Sequence, residues 1–488
     1  MKYSVRLLQF VLVVAAILLA ASCAVNPVTG KKQLMFVSEQ QEVALGADYD
    51  PQVMATFGLY KEDKLENFIG TKGAEMGKIS HRPGLQYHFK ILDSPVINAF
   101  AVPGGYIYLT RGILAQLNNE AELIGIIGHE MGHVTARHTA QQMTKQQVAQ
   151  VLLVGGMIAS KEFRQFADVA MQGMQLLFLS FSRENEREAD KLGVEYATRI
   201  GYDAHKMADF FQVLQRMQLE SEQGGVPTFL STHPDPGDRF NDVNRRATRW
   251  QDSLKTGNWL VNHDNYLRMI DGIVYGEDPR QGYIDGNVFY HPEMKFSFPI
   301  PGGWKTENTP TQVQMVSADG KAMIVFSLAQ QKELDQAAAS SIQSLGLTVS
   351  KRNIIEVKGL PALEVFSEKT TQNQQTGQQS SIKVISCFID YKGNVFLFHG
   401  VSDAMDFQSR ENTFVQTMKN FGPLTDPSKI NVVPVKIRIK QAVKAGTLSE
   451  SLSYHKVPQK EWESIALLNN LKLTDRIEAG KLIKITGK

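Results

Sequence analysis

The stretch that most narrows what this chain can fold into is His129-Glu130-Met131-Gly132-His133. Read as helix, it sets His129 and His133 four residues apart, about 40° around the axis, so both imidazoles leave one face and can share a tetrahedral Zn²⁺. Glu130 stands one step round, where its carboxylate reaches a water held by the metal, the H-E-x-x-H arrangement of a zinc peptidase. With 11 His in 488 residues, chance supplies this pattern in only about one or two of a hundred such chains. The competing reading is a helix with two satisfied structural histidines.

The flanking residues agree with a helix. Asn119 followed by Glu122 resembles a capping box, and Leu123, Ile126 and Ile127 continue an apolar helical spacing. Gly125, Gly128 and Gly132 each cost roughly 1 kcal/mol of helix propensity relative to Ala, so three of them predict an element packed very close. His138, nine residues beyond His129, falls about 180° away on a continuous helix and is not taken as a ligand.

A water-activating zinc site needs a third protein ligand and an open fourth position. Ser182 to Asp190 offers four carboxylates on one helical stretch: Glu186 and Asp190 share a face, and Glu184 and Glu188 share roughly the opposite one. A ligand with a second carboxylate one turn on, free to accept from a ligand imidazole, favours Glu186 as ligand with Asp190 behind it. An ordinary solvated charged face is the competing reading.

Composition bounds the rest. The chain is 43% hydrophobic and 21% charged, ordinary globular stock for two to four domains. Lys2 and Arg6 account for the whole net charge of +2, and neither charge nor basic clustering argues for nucleic acid. Those two residues, the apolar run Leu7 to Leu19 and Ala20-Ala21-Ser22-Cys23 read as a secretory signal over 1–22. The run falls short of the roughly 20 residues a membrane span needs. It resembles a bacterial lipoprotein signal, which implies that Cys23 is acylated and anchors the chain to a membrane, the outer one being favoured by Ala24. Cys387 would then be the only thiol left, which excludes an internal disulfide.

Residues 23–35 read as a polar tether, and helical spacing begins at Ser38. Tyr87 to Leu92 and Tyr106 to Thr110 read as short strands separated by Ser94-Pro95 and by Val102-Pro103-Gly104-Gly105. Proline demotes such a run to a sheet edge, so Gly105, Tyr106, Ile107 and Tyr108 are expected to form an edge strand that pairs with an extended peptide substrate. The stretch from Gln141 to Leu179, rich in Met, Val, Leu and Ala, reads as helices packing on the core or covering the cleft.

Three motifs in order, the H-E-x-x-H helix, Glu186-Arg187-Glu188-Ala189-Asp190 and Asn98 to Gly105, resemble the gluzincin family of CAAX prenyl endopeptidases, in its exported bacterial, BepA-type quality-control branch. The resemblance runs from about Asn26 to Tyr275. It implies zinc on His129, His133 and Glu186, Glu130 as catalytic base, and unfolded or misassembled envelope proteins as substrates. It also implies that His233, in Ser231-Thr232-His233-Pro234, caps the zinc and holds the enzyme latent; a plain loop histidine is the even alternative. Arg239 is a candidate oxyanion stabiliser or a structural ion-pair partner.

Gly276 to about 284 reads as a linker, and 285–427 mixes strand and helix patterns, among them Met323 to Leu328 and Leu334 to Leu345, similar to PsbP-like sheets. Residues 433–488 read as strand, helices, strand and resemble a LysM module, which implies binding to peptidoglycan. The expected whole is an α+β multidomain protein: a mostly helical peptidase domain over 36–275, an α+β domain and a small C-terminal module. The expected function is a zinc endopeptidase of the bacterial envelope, on its periplasmic face; the competing class is a chaperone or wall-binding scaffold with a structural or plugged zinc site.

Overall fold

The computed structural model describes residues 23–152, 180–220, 228–234, 238–255, 257–372 and 379–488. The expected signal, 1–22, and most of the apolar stretch after Leu152, with Met157, Met171 and Met174, lie outside the described residues. Three hydrophobic cores organise the rest.

The first core belongs to a mostly helical unit. A hairpin of β1 (Cys23–Val25) and β2 (Lys32–Leu34) leads into α1 (Glu39–Phe57) and α2 (Asp63–Ile79). The expected tether is therefore an ordered hairpin: Asn26 Nδ2 donates to the Ala136 carbonyl at 3.4 Å, and the Phe36 amide to Thr144 Oγ1 at 3.2 Å. Ser38 caps α1 in a reciprocal capping box with Gln41, which satisfies two amides at the helix start.

Next comes a three-stranded sheet of β3 (His88–Leu92), β4 (Ala99–Val102) and β5 (Tyr106–Thr110), in the order β3-β5-β4. The expectation of an edge strand at Gly105 to Tyr108 is corrected here. Strand β5 is central, parallel to β3 and antiparallel to β4, so its backbone groups are already committed on both sides. The edge nearest the histidines is β4, whose last residue, Val102, begins the segment expected to separate the two strands. The Pro-Gly-Gly segment makes that reversal, with Gly104 and Gly105 at φ of 80° and 94°.

Helix α3 (Arg111–Gln116) follows, then α4 (Glu120–Thr135), which is buried along its whole length and carries the H-E-x-x-H motif. Asn119 caps it by accepting the Glu122 amide, while Glu122 accepts the Asn118 amide at 2.7 Å. Helix α4 ends at a left-handed Arg137 (φ 60°), whose guanidinium is held by buried Glu42 at 2.6 Å. Helix α5 (His138–Leu152) starts immediately after that break.

Helices α6 (Arg183–Arg199), α7 (His205–Glu220), α8 (Thr228–Thr232), α9 (Arg239–Leu254) and α10 (His263–Ile270) complete the unit. The glycines of α4 meet α6 and α7 as their cost predicts. A Cβ on Gly128 would lie 3.0 Å from the Gly193 carbonyl oxygen, one on Gly132 3.0 Å from Ala189 Cα, and one on Gly125 2.8 Å from Met207 Cβ. Backbone-to-backbone approach between α4 and α6 fixes the distance between their side chains to a few tenths of an ångström.

The second core sits between a seven-stranded antiparallel sheet and a four-stranded one, with helices Leu334–Leu345 and Phe407–Lys419 packed on them. The strand and helix patterns read at Met323 to Leu328 and Leu334 to Leu345 both appear there, the strand starting one residue earlier at Ala322.

The third core holds strand, two helices and strand between Lys436 and Gly487. This unit is joined to the first one. Ile437, Leu468 and Leu482 belong to the first core, and the fully buried Lys484 donates to the carbonyls of Ala115, Gln116 and Leu117 at 2.9–3.0 Å, neutralising the open C-terminal end of α3. Among the described residues, no helix is long and apolar enough to cross a membrane.

Candidate metal centre

Helix α4 presents His129 and His133 on the face turned to α6, and α6 presents Glu186 and Asp190 back to them. Their Nε2 atoms stand 3.1 Å apart, and Glu186 brings Oε2 to 3.4 Å from His129 Nε2 and Oε1 to 3.5 Å from His133 Nε2. His233, at the end of α8, adds its Nδ1 at 3.3 Å from His129 Nε2 and 3.2 Å from Glu186 Oε1. All four residues are buried, and their donor atoms lie within 4.8 Å of one another.

These spacings suit a metal. Four N/O donors about 2.0–2.1 Å from a tetrahedral Zn²⁺ lie roughly 3.3 Å from each other. Two imidazole nitrogens and a carboxylate at 3.1–3.5 Å, buried and turned inward, are an arrangement that a cation stabilises. Glu130 supports the same reading: both of its carboxylate oxygens are buried with no hydrogen-bond partner among the described residues, and its nearest ionic neighbour is His233 Nε2 at 3.7 Å. A buried carboxylate without a donor costs several kcal/mol unless a further polar group completes it.

The surroundings orient the ligands. His129 Nδ1 lies 2.9 Å from Asp190 Oδ1, and Arg239 donates from Nη2 to the same oxygen at 2.6 Å and to Glu186 Oε2 at 3.4 Å. Arg239 also stacks on the Phe211 ring at 3.7 Å. Arg239 is thus ion-paired with both Asp190 and Glu186. His233 Nε2 is 3.3 Å from the Ala99 carbonyl of β4, which leaves Nδ1 turned to the donor group. The Phe181 ring stacks on His133 at 4.1 Å.

Electrostatics separate the two histidines of α4. Burial opposes charging both; at His129 the Asp190 and Glu186 carboxylates outweigh it and raise the pKa to about 9, while at His133 burial dominates and drives it well below the usual range. Burial also raises the Glu130 carboxyl above its ordinary value, the direction a general base needs. Glu186 is held well below the usual carboxylate range: burial opposes this, but His233, His129 and His133 outweigh it.

The structure gathers His129, His133, Glu186, Asp190, His233 and Arg239 at one place, with Glu130 beside them. Gly105 to Tyr108 lie one strand back, behind β4. Cys23 has its backbone in β1, far along the chain from the centre. His138 lies outside the donor group, as expected, but spacing gave no sign of its contacts: His138 Nδ1 is 2.9 Å from His133 Nδ1, and His138 Nε2 is 3.1 Å from Glu188 Oε2.

Residues 64–247 match the model of Peptidase family M48. The match spans α4 and α6 with all four donors, and the M48 segment is a zinc metallopeptidase domain. The chain is 31% identical over 221 residues to a "Beta-barrel assembly-enhancing protease" of Yersinia pestis, covering 44% of this chain and 45% of that one. It is also 31% identical over 155 residues to "Mitochondrial metalloendopeptidase OMA1" of Arabidopsis thaliana, covering 32% of this chain and 30% of the relative. The chain thus spans less than half the length of these relatives. A solution structure of cyanobacterial PsbP from Synechocystis sp. PCC 6803 covers 28% of this chain and 91% of that one at 7% identity, with a TM-score of 0.22.

Proposed function

We propose that this chain is a zinc endopeptidase of the bacterial cell envelope that cleaves unfolded or misassembled envelope proteins. The observation that carries it is the buried set His129, His133 and Glu186 at tetrahedral spacing beside the Glu130 carboxylate, which has no hydrogen-bond partner among the described residues. Zinc, when bound, polarises a peptide carbonyl and lowers the pKa of water towards ~7. Glu130 takes the proton of the attacking water and returns it to the leaving amine. Asp190 and Arg239 hold His129 and Glu186 in place. An extended substrate pairs with the edge of β4, so side-chain preference is loose.

The placement of the chain follows the same reading. Residues 1–22 act as an export signal, Cys23 carries the lipid anchor in the outer membrane, and the CAAX prenyl endopeptidase type of peptidase domain spans 36–275. A linker over 276–284 leads to the α+β domain of 285–427, and the LysM-like module of 433–488 contacts peptidoglycan. Similarity to relatives named as β-barrel assembly-enhancing proteases supports envelope substrates.

A second reading has one specific observation behind it. His233 supplies a fourth donor, and four protein ligands are the mark of a structural or latent site. Casein cleavage by the purified chain decides between them. The enzyme reading expects cleavage that a chelator abolishes, zinc restores and Glu130→Gln removes while zinc is still bound. Cleavage surviving in Glu130→Gln refutes the assigned base, and zinc binding without cleavage, even in His233→Ala, supports the scaffold.

A further inference from the structure

On a continuous helix His138 would point away from His133. The left-handed Arg137 ends α4 and starts α5 in a new direction, and this turn brings the His138 ring back against His133, the two centroids 5.0 Å apart. His138 is fully buried, with one ring nitrogen 2.9 Å from His133 Nδ1 and the other 3.1 Å from the partly exposed carboxylate of Glu188. It is not in the donor group itself, because its Nδ1 faces the back of His133.

Hydrogen-bond bookkeeping gives this row a direction. His133 Nε2 faces the other donors, and a ligating nitrogen must be unprotonated. The His133 proton therefore sits on Nδ1, which donates to Nδ1 of His138. With that atom accepting, His138 carries its own proton on Nε2 and donates it to Glu188. We infer that His138 and Glu188 are positioning residues for the metal ligand His133, fixing its tautomer and ring orientation through a His–His–Glu chain. The inference rests on the zinc-peptidase reading above. Asp190 does directly for His129 what Glu188 does for His133 through an intervening imidazole, so each ligand of α4 is backed by a carboxylate of α6. Phe181, stacked on the His133 ring, leaves tilt within its own plane as the freedom that His138 removes.

The test is zinc affinity of the full chain, measured by competition with a chromophoric chelator, with urea unfolding of each metal-free variant alongside. His138→Leu removes the acceptor and is expected to weaken zinc binding roughly 10–100-fold, the range for groups that hold metal ligands. His138→Asn sets an amide oxygen where Nδ1 stood, still accepts from His133, and is expected to recover most of that loss. Glu188→Ala, at the surface end of the row, is expected to give a smaller loss without threatening the fold. Equal losses in the Leu and Asn variants, or unchanged affinity in His138→Leu or Glu188→Ala, overturn the inference. Failure of the unaltered chain to bind zinc overturns the zinc-peptidase reading itself, so the two failures are distinct.

Discussion

Replacing Gly193 by Ala tests whether the contact between α4 and α6 sets the geometry of the centre. The added Cβ would lie 3.0 Å from the His129 amide nitrogen, 3.2 Å from its Cα and 3.3 Å from the Gly125 carbonyl oxygen, against about 3.4–4 Å for ordinary contact. All three are backbone atoms and cannot rotate away, so α6 must back off by a few tenths of an ångström. Helix propensity alone favours the change by ~1 kcal/mol, while overpacking costs about 1–3 kcal/mol, so the net runs from neutral to about 2 kcal/mol destabilising. Glu186 lies seven residues before Gly193, two turns away on the same face, and moves with it. A shift approaching ~0.5 Å is the tolerance of such a site, and zinc affinity is expected to fall roughly tenfold. Gly70→Ala in α2, where a Cβ meets nothing within 4 Å, is the control and should stabilise by ~1 kcal/mol with zinc binding unchanged. Urea unfolding and chelator competition on both variants give the answer. If Gly193→Ala stabilises as much as the control and binds zinc as tightly as the unaltered chain, the helix contact does not set the site.

His233→Ala removes the fourth donor and its bond to β4, so basal casein cleavage is expected to rise; unchanged or lower activity with zinc bound removes the plug role. Lys484→Met leaves three carbonyls at the end of α3 without a donor and should cost about 3 kcal/mol in urea unfolding; a variant as stable as the original would show that water replaces the ammonium. Burial lowers the His399 pKa to about 4, so between pH 6.5 and 4 the unfolded chain binds a proton that the folded chain refuses. Stability from this residue is complete above pH 6.5 and falls with pH, by about 2 kcal/mol at pH 5. Urea midpoints at pH 7.5 and 5.0 should separate less in His399→Gln, and an equal separation would exclude His399 as the cause.

The centre was legible where local periodicity carries information. His129, Glu130 and His133 need only one helix, and pairing Glu186 with Asp190 needs only a second one. The glycines of α4 even announced a close neighbour, although not which. What failed involved partners or breaks that spacing does not encode. Proline beside the run points to an edge, but β5 also pairs with β3 from 18 residues earlier in the chain, which local spacing does not encode. The contact of His138 with His133 is hidden from helical spacing, because one left-handed residue, Arg137, resets the helical phase. Lys484 sits among Leu482, Ile483 and Ile485 like the outward member of a surface strand, and its burial depends on a carbonyl cluster 367–369 residues away.

That distant contact bears on the order in which the molecule is made. The core around the metal ligands draws Ile437, Leu468 and Leu482 from the far end of the chain. While a nascent chain still lacks those residues, α3 has an uncapped terminus and the core an uncovered flank, so full burial of this core waits on contacts 367–369 residues apart in the sequence.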